Sequence, residues 1–187
     1  MIPIYSELFS HEAEVTSENE KILHVVDAVV PACAKDAHCI HDRSDDCEAL
    51  PDAHFAAGHQ FIVRQTGARH LYFDGKNQGF DFFTRRARSK WAYNVERIHQ
   101  NRIRKRTYDC GALRVSLEKN GKSSRLVVMK GRDGGYCWLL YYFKDCRSTK
   151  QAVELPLKGY GLRWKIEEVH REIKVDYKLE AMRVERY

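Results

Sequence analysis

Between residues 113 and 143 the chain is patterned for antiparallel strands. Leu113-Arg114-Val115-Ser116-Leu117-Glu118 alternates apolar and polar side chains with period two. Lys119-Asn120-Gly121-Lys122 supplies a turn containing Asn-Gly, and Arg125-Leu126-Val127-Val128-Met129 is the returning strand. Gly131–Gly135 turns the chain again, and Tyr136–Phe143 (YCWLLYYF) is an apolar strand. Three strands in series commit this part of the chain to a sheet, and a sheet must bury an apolar face against something else.

The residues before it alternate between helix and strand signals. Met1–Glu14 is irregular, with no strand pattern of its own. Ser17-Glu18-Asn19-Glu20 has the form of a capping box, followed at helical spacing by Ile22, Leu23, Val25, Val26, Val29 and Val30, with Pro31 as the stop. This predicts an amphipathic helix over Ser17–Val30. His38-Cys39-Ile40-His41 is a short strand running into Asp42-Arg43-Ser44-Asp45-Asp46. A strand ending in carboxylates is a common geometry for metal sites in open α/β sheets, but the same residues also make an ordinary polar turn. Cys47–Gly58 reads as a short helix broken by Pro51, Phe61–Arg64 as a buried strand, Leu71–Phe73 as another strand, and Asp74–Gly79 as a turn. Residues 66–143 are therefore β-rich between helical flanks.

A second helix is predicted over Lys158–Tyr177 (KGYGLRWKIEEVHREIKVDY), and it carries two stripes. Leu162, Ile166, Val169 and Ile173 form an apolar stripe at helical spacing. Tyr160, Arg163, Glu167 and Lys174 fall together about 100° round from it. Taken alone, Glu167 four residues after Arg163 is what a surface salt bridge looks like.

Charge points to a polyanionic partner. The 187 residues carry a formal charge of +6, and nine of the cations fall in residues 85–106: Arg85, Arg86, Arg88, Lys90, Arg97, Arg102, Arg104, Lys105 and Arg106, against the single acid Glu96. Trp91 and Tyr93 are interleaved among them, and aromatic rings between cations suit stacking on unpaired bases. The alternative is a solvated basic face. No apolar run approaches the ~20 residues a membrane span needs, and MIPIYSELFSHEAE lacks the cationic start of a secretory signal. Six cysteines without a CxxC pair fit reduced thiols. Cys33, His38, Cys39, His41 and Cys47 crowd together in a way that suggests zinc, yet their spacing matches no common structural zinc site.

The order Tyr160, Arg163, Glu167, Lys174, with Trp164 and Ile166 completing YxxRWxIE, resembles the signature of DDE-type bacterial transposases of the insertion sequence four group. The order along the chain agrees: a strand with Asp-Arg, a long β-rich stretch, then the signature helix. The resemblance implies an α/β, RNase H-like mixed sheet flanked by helices, with core segments at 1–65 and 144–187 and a β-rich insertion at 66–143. It implies Mg²⁺ (or Mn²⁺) held by Asp42 and Glu167 as the catalytic and metal-binding carboxylates, and cut-and-paste DNA transposition by strand cleavage and transfer. Tyr160, Arg163 and Lys174 would hold backbone phosphates near the cut. Trp138 would stack on a flipped base, or else be a sheet-core aromatic. Arg85, Arg86, Arg88, Arg102, Arg104, Lys105 and Arg106 would contact DNA. Partners would be double-stranded transposon ends and target DNA, with action as a homodimer in the bacterial cytoplasm at the nucleoid and no membrane.

Three departures accompany the resemblance. The family's first Asp lies on a strand well upstream of Asp-Arg, and this chain starts too late to contain it; Asp27, in the predicted helix, is no substitute. Ser44 stands where the family has Gly. The family continues past the signature helix, so the chain reads as a transposase cut at both ends. A non-catalytic DNA-binding remnant is therefore a second expectation. A third is an unrelated basic nucleic-acid-binding module, which would leave Asp42 and Glu167 far apart.

Overall fold

The computed structural model describes residues 18–29, 37–87, 89–99, 102–146 and 148–176; within these, the side chains of 18, 19, 96–99, 102–104 and 164–176 lie outside the description. Among the described residues, eight strands form one curled mixed sheet, accompanied by four α-helices. Helix α1 is Glu18–Val29. Strand β1 (His38–His41) is followed by a 3-10 turn at Arg43–Asp45, helix α2 (Ala49–Ala57) and strand β2 (Gln60–Gln65), which runs parallel to β1. Then come β3 (Leu71–Phe73), β4 (Lys76–Gln78), helix α3 (Phe80–Arg86), β5 (Trp91–His99), β6 (Arg102–Ser116), β7 (Ser123–Gly131), β8 (Tyr136–Tyr142) and helix α4 (Gln151–Asp176). The order across the sheet is β1-β2-β8-β7-β6-β3-β4, with β5 also paired to β6.

Each unit follows from local sequence. The parallel pair β1 and β2 needs a crossover, and α2 supplies it. Pro51 does not break α2, contrary to expectation. It is the third residue of the helix, where a backbone N–H has no intrahelical partner to lose. Asp74 and Gly75 have φ of 49° and 74°, the backbone that a tight two-residue hairpin requires, so the expected 74–79 turn contains strand β4. The hairpin of β6 and β7 is present, but its turn is not built on left-handed Asn-Gly: Gly121 N–H returns to the Glu118 carbonyl at 3.2 Å within a longer loop. Strand β6 has 15 residues because it serves two neighbours on one edge, β5 opposite its first part and β3 at Ser116, while β7 lines the other edge. Strand β8 is hydrogen-bonded directly to β2, so the β-rich stretch 66–143 extends the sheet that β1 and β2 begin.

The sheet is covered on both faces. Phe61, Val63, Val128 and Leu140 face a core that includes Val26 of α1, Leu50 of α2, and Phe80 and Phe83 of α3. Ile62, Val127, Leu139 and Tyr141 face the other way, against Val153 and Leu157 of α4. Central strands buried on both sides read as continuous apolar runs, as FIV in β2 and LLY in β8 do.

Helix α4 begins seven residues earlier than expected and contains Pro156. A proline there cannot donate to the carbonyl of Ala152 four residues back. The buried Tyr141 hydroxyl donates to that carbonyl at 2.6 Å instead. Further along, α4 meets the sheet at Gly159, where a Cβ would lie 2.6 Å from Ile62 Cδ1. No helix among the described residues is long and apolar enough to cross a membrane.

Candidate functional site

Because β1 and β2 are parallel, their C-terminal ends share one sheet edge, the usual place for a site in an α/β sheet. Asp42 follows β1 there, and Arg64 stands near the end of β2. The backbone of Asp42 is fixed by the next turn: its N–H donates to Asp45 Oδ2 at 3.0 Å, and Ser44 Oγ donates to Asp45 Oδ1 at 3.1 Å. Ser44 thus has its own task in this turn, and among the described residues only Asp74 has a positive φ without being glycine. His41 Nδ1 lies 3.7 Å from Asp45 Oδ2. Burial opposes ionisation of Asp45, yet its contact with His41 and the hydrogen bond from the Asp42 backbone prevail and hold its pKa below the usual carboxylate range.

The Asp42 carboxylate points at α4. Its Oδ1 accepts a hydrogen bond from the Tyr160 hydroxyl at 2.9 Å, and its Oδ2 pairs with Arg163 Nη2 at 2.7 Å. Arg64 Nη1 stands 4.0 Å from Oδ1. Burial pushes the Tyr160 phenol up to about 12, with Asp42 adding to the shift and Arg64 opposing it, so the phenol stays a proton donor. Burial works against the Arg64 charge, but contact with Tyr160 and the nearby Cys137 and Asp42 outweigh it and its pKa is raised. Arg64 was not singled out from sequence. The signal is a charged residue directly following the apolar run Phe61–Val63 within the same strand.

The structure brings together Asp42, Tyr160 and Arg163 of the residues singled out from sequence. Glu167 lies in α4 one turn after Arg163, and Lys174 about two turns beyond that. The side chains of both lie outside the described residues. Trp138 is elsewhere: it faces the α1–α3 side of the sheet, packs edge-on to Phe80 at 5.2 Å between ring centroids, and donates from Nε1 to Thr84 Oγ1 at 3.2 Å. Arg85 and Arg86 are exposed at the end of α3, with the Arg86 guanidinium 5.9 Å from the Phe73 ring centroid. Lys105 and Arg106 are exposed on β6; Arg102 and Arg104 belong to the same strand, their side chains outside the description, and Arg88 is outside the described residues. By strand alternation Arg106 shares the α4-side face with Tyr108 and Cys110. Trp91 and Tyr93 are half-buried against that same core.

On the opposite side of β1, His41 Nε2 lies 2.8 Å from His54 Nε2. His54 is fully buried, and burial, reinforced by the neighbouring His41 and His59, lowers its pKa to about 3. It is a neutral imidazole at physiological pH.

The cluster at Asp42 sets one carboxylate against two guanidinium groups and leaves net positive charge at a sheet edge. That arrangement is suited to a phosphate. It does not by itself fit Mg²⁺, which wants near-octahedral oxygen ligation: the described residues bring one carboxylate, and both its oxygens already face a phenol or a guanidinium. No protein-family model matches the chain, and no curated protein matches it.

Proposed function

We propose that this chain is the DNA-handling core of a DDE-type insertion-sequence transposase, built on an RNase H-like sheet and acting in cleavage and transfer of DNA strands. The observation that carries the reading is the contact of Asp42, at the end of β1, with Tyr160 and Arg163 of α4, the helix that also bears Glu167. An unrelated basic module would leave Asp42 far from Glu167, whereas the ion pair with Arg163 seats Asp42 on the turn of α4 that precedes Glu167, which supports the transposase reading.

The chain's own residues have a definite task in this reading. Tyr160 and Arg163 rest on Asp42 while no DNA is bound. A backbone phosphate competes with Asp42 for the Arg163 fork, and its capture releases the carboxylate. Arg64 remains beside Asp42 and limits the negative charge exposed. Asp42 and Glu167 are the carboxylates that would hold Mg²⁺ or Mn²⁺, which supplies phosphoryl polarisation when bound.

A plasmid-nicking assay in Mg²⁺ or Mn²⁺ tests the reading. Metal-dependent nicking that is lost in Asp42→Asn and in Glu167→Gln supports a cleaving enzyme. DNA binding without nicking would instead select a non-catalytic DNA-binding remnant. Absence of DNA binding would sink both.

A further inference from the structure

We infer that Cys39, His54 and His59 form a transition-metal site, with Zn²⁺ as its natural occupant, on the α2 side of the sheet. Each residue offers one ligand atom, and the three atoms all lie within 4.8 Å of one another. They come from three consecutive pieces of the crossover: Cys39 from β1, His54 from α2, and His59 from the residue just before β2. A single ion would therefore tie the helix to both strands that it connects.

The protein leaves ring nitrogens unused there. Nδ1 of His54 and Nδ1 of His59 are buried and have no hydrogen-bond partner. His54 is 0% exposed, so water cannot satisfy it from the surface. Buried polar atoms in native proteins almost always have partners, and two orphaned imidazole nitrogens beside a cysteine call for a common one. The other nitrogen of His54 is already held: its Nε2 is 2.8 Å from His41 Nε2, and His41 in turn faces Asp45. A ligating histidine whose far nitrogen is fixed by an outer partner is the usual arrangement in metal sites, because that bond sets the tautomer and aims the free nitrogen.

The donor set selects the metal. One thiolate and two imidazoles favour Zn²⁺ and its spectroscopic substitute Co²⁺ over Mg²⁺ or Mn²⁺, which prefer oxygen. On binding, the Cys39 thiol loses its proton to solvent as the sulfur–metal bond forms. Three protein ligands leave a fourth tetrahedral position for water. The site is distinct from the cluster at Asp42. Cys39 packs toward the α1–α3 side of β1, whereas its neighbour Ile40 packs toward the α4 side, where Asp42 meets Tyr160.

The test is titration of the reduced full chain with Co²⁺, read by absorbance. We expect one equivalent to produce a thiolate-to-cobalt charge-transfer band and tetrahedral visible bands. Zn²⁺ should displace them, and excess Mg²⁺ should not. Cys39→Ser should abolish the charge-transfer band and His59→Gln should weaken binding at least tenfold, both with unchanged circular dichroism, while Cys146→Ser should retain the full signal. Zn²⁺ at about a hundred times its Kd should raise the melting temperature by about 5–10 °C, reversed by chelator. No charge-transfer band at stoichiometric Co²⁺, or a band that survives Cys39→Ser, overturns the inference. Because His54→Gln could fail to fold, the decision rests on the two less buried ligands.

Discussion

The Tyr160 hydroxyl donates to Asp42 Oδ1 at 2.9 Å across 118 positions of sequence, and Arg163, one turn along the same helix, closes on the other carboxylate oxygen at 2.7 Å. If Arg163 is lent to DNA phosphate, its removal acts on affinity and not on sequence preference. Arg163→Ala should weaken duplex binding about equally for all sequences and lower the slope of log K against log salt by about one. Fluorescence anisotropy across a salt series measures this. An unchanged slope would place Arg163 in structure alone.

Tyr141 repairs a helix that Pro156 damages. Its hydroxyl, fully buried, is the donor at 2.6 Å to the Ala152 carbonyl that the proline leaves without a helical N–H. Tyr141→Phe should cost about 1–3 kcal/mol, the penalty of an unpaired buried acceptor. In a Pro156→Ala background the helix can make that bond itself, and the cost of Tyr141→Phe should shrink by at least half. Urea denaturation of the four variants reads the coupling; additive effects would show that the hydroxyl acts elsewhere.

These contacts separate what the sequence could reveal from what it could not. Strands β1, β2, β3, β7 and β8 are legible because their apolar runs are short, β-branched or aromatic, and bounded by turn residues. Helix α3 was invisible: Phe80-Asp81-Phe82-Phe83 has strand-like composition, and what makes it helical is tertiary, with Phe80 and Phe83 both turned into the core beside Trp138 and Phe73. The start of α4 was hidden by Pro156, whose cost is met by a tyrosine 15 residues earlier. The spacing of Cys39, His54 and His59 fits no linear motif because the end of β1, a 3-10 turn and helix α2 lie between the first ligand and the last. The crowding of cysteine and histidine visible in the sequence is confined to residues 33–47, and both histidines lie beyond it.

At Gly159 α4 packs tightly on the sheet, and space decides the residue. An alanine there improves helix propensity by up to about 1 kcal/mol but drives its Cβ to 2.6 Å from Ile62 Cδ1. Ile62 is fully buried and has little room to move. Gly159→Ala should destabilise by about 1–3 kcal/mol. Ile62→Val removes the offending methyl, and the double variant should be more stable than the sum of the singles by more than about 0.5 kcal/mol. Thermal or urea denaturation of the cycle decides; no coupling would mean that the helix and strand adjust freely.

Cys110 predicts the alkaline side of the stability profile. It sits fully buried in β6, its thiol donating at 3.6 Å to the Tyr108 carbonyl, and burial, with Asp109 and Cys137 adding to it, pushes its pKa from 9.0 up to about 12. Below pH 9 the thiol is protonated in both folded and unfolded chains and pH makes no difference. Above pH 9 the unfolded thiol ionises and the folded one does not, so stability falls as pH rises, by about 1.4 kcal/mol per pH unit, until the folded thiol also ionises near 12. Between pH 8 and 10.5 this one group should therefore cost about 2 kcal/mol. Cys110→Ala lowers stability at both pH values through the lost packing, but the difference between them should shrink by that amount. Denaturant titrations of the two proteins at the two pH values measure it. In parallel, iodoacetamide at pH 9 should leave Cys110 unlabelled in the native chain and label it once urea unfolds the protein. Native labelling of Cys110 at the rate of an exposed thiol would show that the strand opens and that burial does not govern its ionisation.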